Sequence, residues 1–313
     1  MLLELATRNA IATAYQDIEQ VQQAYQFNNL QDFLDIYYTG ASVLCCEQDF
    51  YDLTYAYLQK ARLQNILHTE IMFDPQTHME RGVPFATIIT GIHQACEDAW
   101  TTLCISSCLI LSFLRHLDEQ SAFETLQAAV DFRPWITAVG LDSSELGNPP
   151  EKFSRVFQEA TKQGYRKLAH AGEEGPPAYI WQALQVLQVD RIDHGNRALE
   201  DPALVSSLRD SQRPLTLCPL SNIQLKNVAH LEQHPLRSML DQGLMVTINS
   251  DDPAYFGGYL NDNFLAVATA LQLDKEQLLV LAGNSFTASF LEPQKTTQYL
   301  AQLQHYAEQA IRT

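Results

Sequence analysis

The chain has 313 residues, 46% of them hydrophobic and 18% charged, which is ordinary globular material and long enough for one barrel-sized domain. Lys and Arg number 20 against 37 Asp and Glu, a formal charge of −17 that repels the phosphates of nucleic acid and of anionic membranes. A neutral or cationic small molecule is the easier partner, and homo-oligomerisation is left open.

In chain order, apolar spacing predicts helices over 1–9 (Leu2, Leu5, Ala6) and 30–37. From there β-type runs alternate with amphipathic ones. Strands are expected over 66–73, 102–111, 136–141, 166–170, 191–194, 214–218 and 244–249, with helices over 49–64, 85–100, 119–130, 151–163, 178–187 and 235–242. Breakers fall at the joins: Pro149-Pro150 and Pro176-Pro177 ahead of two helices, Gly164 after one, Gly243 before the last strand. Residues 274–313 read as two further helices broken near Pro293.

Strict βα alternation implies a parallel sheet covered by helices, and without a Gly-rich phosphate fingerprint it favours an α/β fold of the (β/α)8 TIM-type barrel kind. Seven strands are counted where such a barrel closes with eight, so the first strand is expected to be missing from a single domain over 1–313. The six cysteines, at 45, 46, 96, 104, 108 and 218, form no CxxC pair and read as buried, reduced thiols. Cys104 and Cys108, four apart in an apolar run, are read as packing rather than as metal ligands. No run approaches the roughly 20 apolar residues of a membrane span. No signal-peptide pattern opens the chain, and a cytoplasmic location is expected.

Three short runs stand where strands should end: His170-Ala-Gly-Glu173, Asp193-His-Gly195 and Ser250-Asp-Asp-Pro253. Taken alone, His170 is as easily a hydrogen-bonded structural residue. Glu173 could be an acid favoured near a helix N-terminus, and Asp251 and Asp252 a turn or cap before Pro253. Taken together at the catalytic end of a barrel, they suggest metal-assisted hydrolysis. His170 and Asp251 suit zinc, Glu173 could pass a proton to substrate, and His194 could orient or deprotonate water.

With Arg191-Ile-Asp-His-Gly195, Cys218-Pro-Leu-Ser-Asn222 and Asn249-Ser-Asp-Asp-Pro253 added, the chain resembles the adenosine/adenine deaminase family of metal-dependent hydrolases. Phe73-Asp-Pro-Gln-Thr-His78, Gly140-Leu-Asp-Ser-Ser-Glu145 and the 252–259 loop resemble its adenine deaminase branch. The resemblance implies one zinc ion held by His170 and Asp251, with Glu173 as proton donor to the purine and His194 assisting the attacking water. Asp252 would accept a hydrogen bond from the imidazole part of adenine, and the Gly140 backbone would face the purine. The implied reaction turns adenine into hypoxanthine and ammonia in purine salvage. Adenosine and other 6-substituted purines are alternative substrates, and a non-catalytic remnant that only binds a purine or a partner is a third reading. The same resemblance implies two more histidine ligands in a His-x-His strand, and none stands ahead of His68, so the zinc site is expected to be short of ligands. Gly283 stands where the family leads one to expect Arg.

Overall fold

In the computed structural model, which describes residues 1–312 and the side chains of 1–309, seven parallel strands carry the chain. They are β1 (His68–Phe73), β2 (Ser106–Leu114), β3 (Ile136–Asp142), β4 (Arg166–Ala171), β5 (Arg191–His194), β6 (Leu215–Leu217) and β7 (Val246–Ile248). All seven expected strands are present. Thr313, the last residue of the expected C-terminal helical region, lies outside the described residues. Backbone contacts group the chain into two compact units, the first made of Met1–Asn148, Lys152–Tyr165 and Gln224–Lys226, the second of Pro149–Glu151, Arg166–Ile223 and Asn227–Thr313.

The first unit holds β1, β2 and β3, paired in that order. The second strand begins later than 102, because the helix Phe85–Leu103 carries its apolar period through Ala95, Cys96 and Ala99 and stops only at Cys104, whose φ of +56° ends it. The apolar run then continues to Leu114, buried at every position from Leu109 onward, as a strand covered on both faces should be. The helices Glu47–Leu63 and Phe85–Leu103 meet at Gly91, where a Cβ would come 2.3 Å from the Glu47 carbonyl oxygen. Only glycine allows that approach.

The second unit holds β4 to β7, again in sequence order. Its register lays out two rows. Ala169, Ile192, Leu215 and Val246 stand side by side and fully buried, while the alternate row is polar: His170, Asp193, Thr216, Thr247. The expected helix over 178–187 is α-helical only for Pro177–Gln182 and then widens into a π turn over Ala183–Leu187. The one expected over 151–163, most of which belongs to the first unit, opens as a 3-10 turn, Pro150–Phe153, and becomes α-helical for Ser154–Lys162. The C-terminal helices run Lys275–Thr287 and Pro293–Arg312, broken ahead of Pro293 as expected.

The cysteines are all free. The expectation that they are buried holds only for Cys96 and Cys218; Cys45 and Cys108 are half-buried, and Cys46 and Cys104 are exposed because a helix start and a helix end carry them out of the core.

Candidate active site

Three of the four strands of the second unit, β4, β5 and β7, lead into left-handed turns. Gly172 follows β4 with φ +73°, His194 and Gly195 close β5 at +62° and +78°, and Asp251 lies beyond β7 at +55°. Left-handed backbone at a histidine and an aspartate is costly and persists where the surroundings over-determine it, as at sites that aim particular side chains. At Gly172 a Cβ would lie 2.5 Å from Ile180 Cδ1, and at Gly195 2.8 Å from Leu215 Cδ2, so both glycines are also dictated by space.

Around these turns several of the predicted residues come together. His194 Nε2 lies 3.2 Å from His170 Nδ1, the rings meeting edge to face with centroids 4.6 Å apart. Glu173, 4% exposed, places Oε2 3.5 Å from His194 Nε2, and its Oε1 accepts a hydrogen bond from Asn227 Nδ2 at 3.1 Å. His170, Glu173 and His194 form one group whose donor atoms all lie within 4.8 Å of one another, and His194, Cys218 and Asp251 form another. Asp252 heads the short helix Pro253–Phe256, where its backbone carbonyl accepts from Tyr255 and Phe256 N–H and its side chain makes no capping hydrogen bond. Gly140 lies buried inside β3 in the first unit, opposite Ser112 in the ladder.

Three residues here were missed by sequence reasoning. Asp193 stands beside His170 in the register, its Oδ2 3.9 Å from His170 Nε2, and accepts a hydrogen bond from Thr216 Oγ1 at 2.9 Å. Its place within Arg191-Ile-Asp-His-Gly195 was a signal, since a residue two before Gly195 shares the strand with His194. Asn227 comes from a loop and had no local signal. Cys218, read as packing, is buried but joins the donor group; burial first, then the carboxylates of Asp251, Glu173, Asp193 and Asp252, pushes its thiol well above the ordinary range.

A parallel α/β fold with imidazole, carboxylate and thiol donors gathered where its strands end defines a metal-dependent hydrolase of the barrel class. The chain belongs to the adenosine deaminase family, whose profile matches residues 1–306. It is 54% identical over 308 residues to an adenine deaminase of Hahella chejuensis, covering 98% of this chain and 92% of that one. The crystal structure of adenine deaminase from Arthrobacter aurescens superposes with a TM-score of 0.96 at 45% identity, covering 98% of this chain and 94% of that chain. The fold is therefore the TIM-type (β/α) barrel of that family. An amidohydrolase structure from Burkholderia ambifaria with bound Zn, 22% identical, matches in fold with a TM-score of 0.90 over 100% of this chain and 88% of its own. Among the described residues no helix is long and apolar enough to cross a membrane.

Proposed function

We propose that the protein is an adenine deaminase, hydrolysing adenine to hypoxanthine and ammonia as a purine-salvage enzyme. The observation that carries this reading is the cluster of half-buried His170 with buried Glu173 and His194, assembled at the ends of β4 and β5 in a chain 54% identical to a curated adenine deaminase. The donor set fits zinc, which takes imidazole nitrogen, carboxylate oxygen and thiolate sulfur alike. His170 and Asp251 would hold the ion. Bound there, zinc supplies Lewis acidity that makes water nucleophilic near neutral pH.

The remaining chemistry falls to side chains. Glu173 is positioned to carry a proton to a ring nitrogen of the purine: Asn227 donates to Oε1, which leaves Oε2 as the oxygen able to bear the proton. His194, a buried imidazole 3.5 Å from that oxygen, would take the proton that the attacking water loses. Asp252, next to Asp251, would accept the N–H of the imidazole half of the base. A free base offers that N–H, whereas a nucleoside replaces one ring N–H by the glycosidic bond. The acidic surface, with its charge of −17, suits an uncharged purine better than a nucleotide.

The test is turnover of adenine, adenosine and N6-substituted adenines, followed by hypoxanthine and ammonia release, before and after chelation and zinc restoration. Preferential, zinc-restored turnover of adenine is expected. Preference for adenosine, or chelator-insensitive turnover, would reject the reading.

A further inference from the structure

The first unit carries a second set of metal-type donors that the proposed reaction does not use. The parallel register sets His68 opposite Ser106 and Glu70 opposite Cys108, and the two-residue period of a strand brings all four side chains to one side of the ladder. The His68 imidazole, the Glu70 carboxylate and the Cys108 thiol offer one nitrogen, one oxygen and one sulfur within 4.8 Å of one another. The side chains of His68 and Glu70 are 5% and 11% exposed, and Cys108 is half-buried. The cluster is therefore largely desolvated yet not sealed.

Ser106 decides which ring nitrogen faces it. Its hydroxyl donates to the Leu67 carbonyl at 3.3 Å, so its oxygen accepts Nδ1–H of His68 at 2.8 Å. Nε2 is then the atom turned to Glu70, 3.4 Å from Oε1. A bare ring nitrogen and a carboxylate oxygen repel each other at that separation, so a cation belongs between them: a proton on Nε2 or a metal ion. The proton is held firmly when no ion is bound, for although burial lowers the His68 pKa, Cys108 and Glu70 raise it to about 9. An ion competes with that proton using the same partners. A hydroxyl that fixes the tautomer from the far side is also how outer partners orient metal-binding imidazoles.

We propose that His68, Glu70 and Cys108 form a second site, separate from His170 and Asp251, for one divalent transition-metal ion of the zinc type. Nitrogen, oxygen and sulfur together suit zinc and exclude magnesium and calcium, which take oxygen ligands. On binding, Nε2–H and the thiol S–H each release a proton to solvent, and the nitrogen and sulfur lone pairs become the metal bonds. Three protein ligands leave a fourth position to water. His68 and Ser106 are the first residues of their strands, the end of a barrel sheet where sequence serves stability rather than chemistry. The ion would thus clamp β1 to β2 and take no part in deamination.

The measurement separates the two sites. The His170→Ala/Asp251→Ala variant is loaded with zinc and, separately, with cobalt(II), and bound metal is counted by elemental analysis after desalting. One ion per chain is expected, with a near-ultraviolet thiolate-to-cobalt band that disappears on adding Cys108→Ser and survives Cys218→Ser. Should that variant fold poorly, the same count is made on the parent protein, where Cys108→Ser is expected to lower bound zinc by one ion per chain while adenine turnover is kept. Zinc addition should also release protons, less so in Cys108→Ser. No ion retained, a band indifferent to Cys108, or a metal count unchanged by Cys108→Ser would overturn the proposal and leave a proton as the only cation of this cluster.

Discussion

His194 Nε2 sits 3.2 Å from His170 Nδ1 although the β4–β5 register pairs His170 with Asp193 and gives His194 the place opposite Ala171. The left-handed turn at His194, φ +62°, reverses the side chain's natural direction and brings it back over its neighbour. One backbone angle thus converts an alternating strand pattern into a two-imidazole cluster.

Glu173→Gln should keep zinc while losing most activity, since a positioned acid contributes ~10²–10⁴-fold to rate. Gln retains the contact to Asn227 through its amide oxygen and loses only the transferable proton. Elemental analysis paired with initial rates on adenine checks both halves, and near-parental rates at full zinc occupancy would remove Glu173 from proton transfer.

Asn227→Leu should lower kcat by about 2- to 10-fold, the net worth of one hydrogen bond to a protonated carboxyl, while KM changes little. The amide touches the Glu173 carboxylate, so its loss is felt in orientation of the acid. Steady-state kinetics on adenine separate the two parameters; a change confined to KM would place Asn227 in substrate binding instead.

Gly172→Ala should cost about 1–3 kcal/mol of stability through its strained backbone alone, and more through contact, because the new Cβ would meet Ile180, which is fully buried, at 2.5 Å. Glu173 is the next residue, so activity should fall further than stability. Denaturant unfolding and adenine turnover on the same preparation test this. An unfolding midpoint equal to the parent's would overturn both the backbone and the contact argument, whereas a loss of no more than the backbone cost would show that Ile180 gives way.

Acid should weaken the fold through His234. Its Nδ1 accepts Leu236 N–H at 3.2 Å and its Nε2–H points to Asn222 Oδ1 at 3.1 Å, so the ring is neutral, and burial lowers its pKa from 6.5 to about 4. The unfolded chain binds the proton first. Stability from this group is therefore complete above pH 6.5 and is lost as pH falls toward 4, up to about 3 kcal/mol in all. Denaturant unfolding between pH 7 and pH 4 should show a decline that His234→Gln reduces; equal slopes in parent and variant would assign the loss elsewhere.

Strand order, helix placement and the residues worth watching were legible because they depend on local period and on short runs. Alternating apolar stretches marked all seven strands, and His170-Ala-Gly-Glu173, Asp193-His-Gly195 and Ser250-Asp-Asp-Pro253 marked where they end. Boundaries were less legible where one apolar run serves two elements: residues 102–103 belong to a helix and 106–114 to a strand, and only the turn at Cys104 divides them. Tertiary structure alone decided the rest, because register and loop return join residues that share no sequence neighbourhood. Asn227 reaches Glu173 across 54 positions, and β1–β2 pairing brings Cys108, which reads as packing in its own segment, beside Glu70. A sequence states what each residue can donate or accept; the parallel register and the left-handed turns determine which of those groups meet.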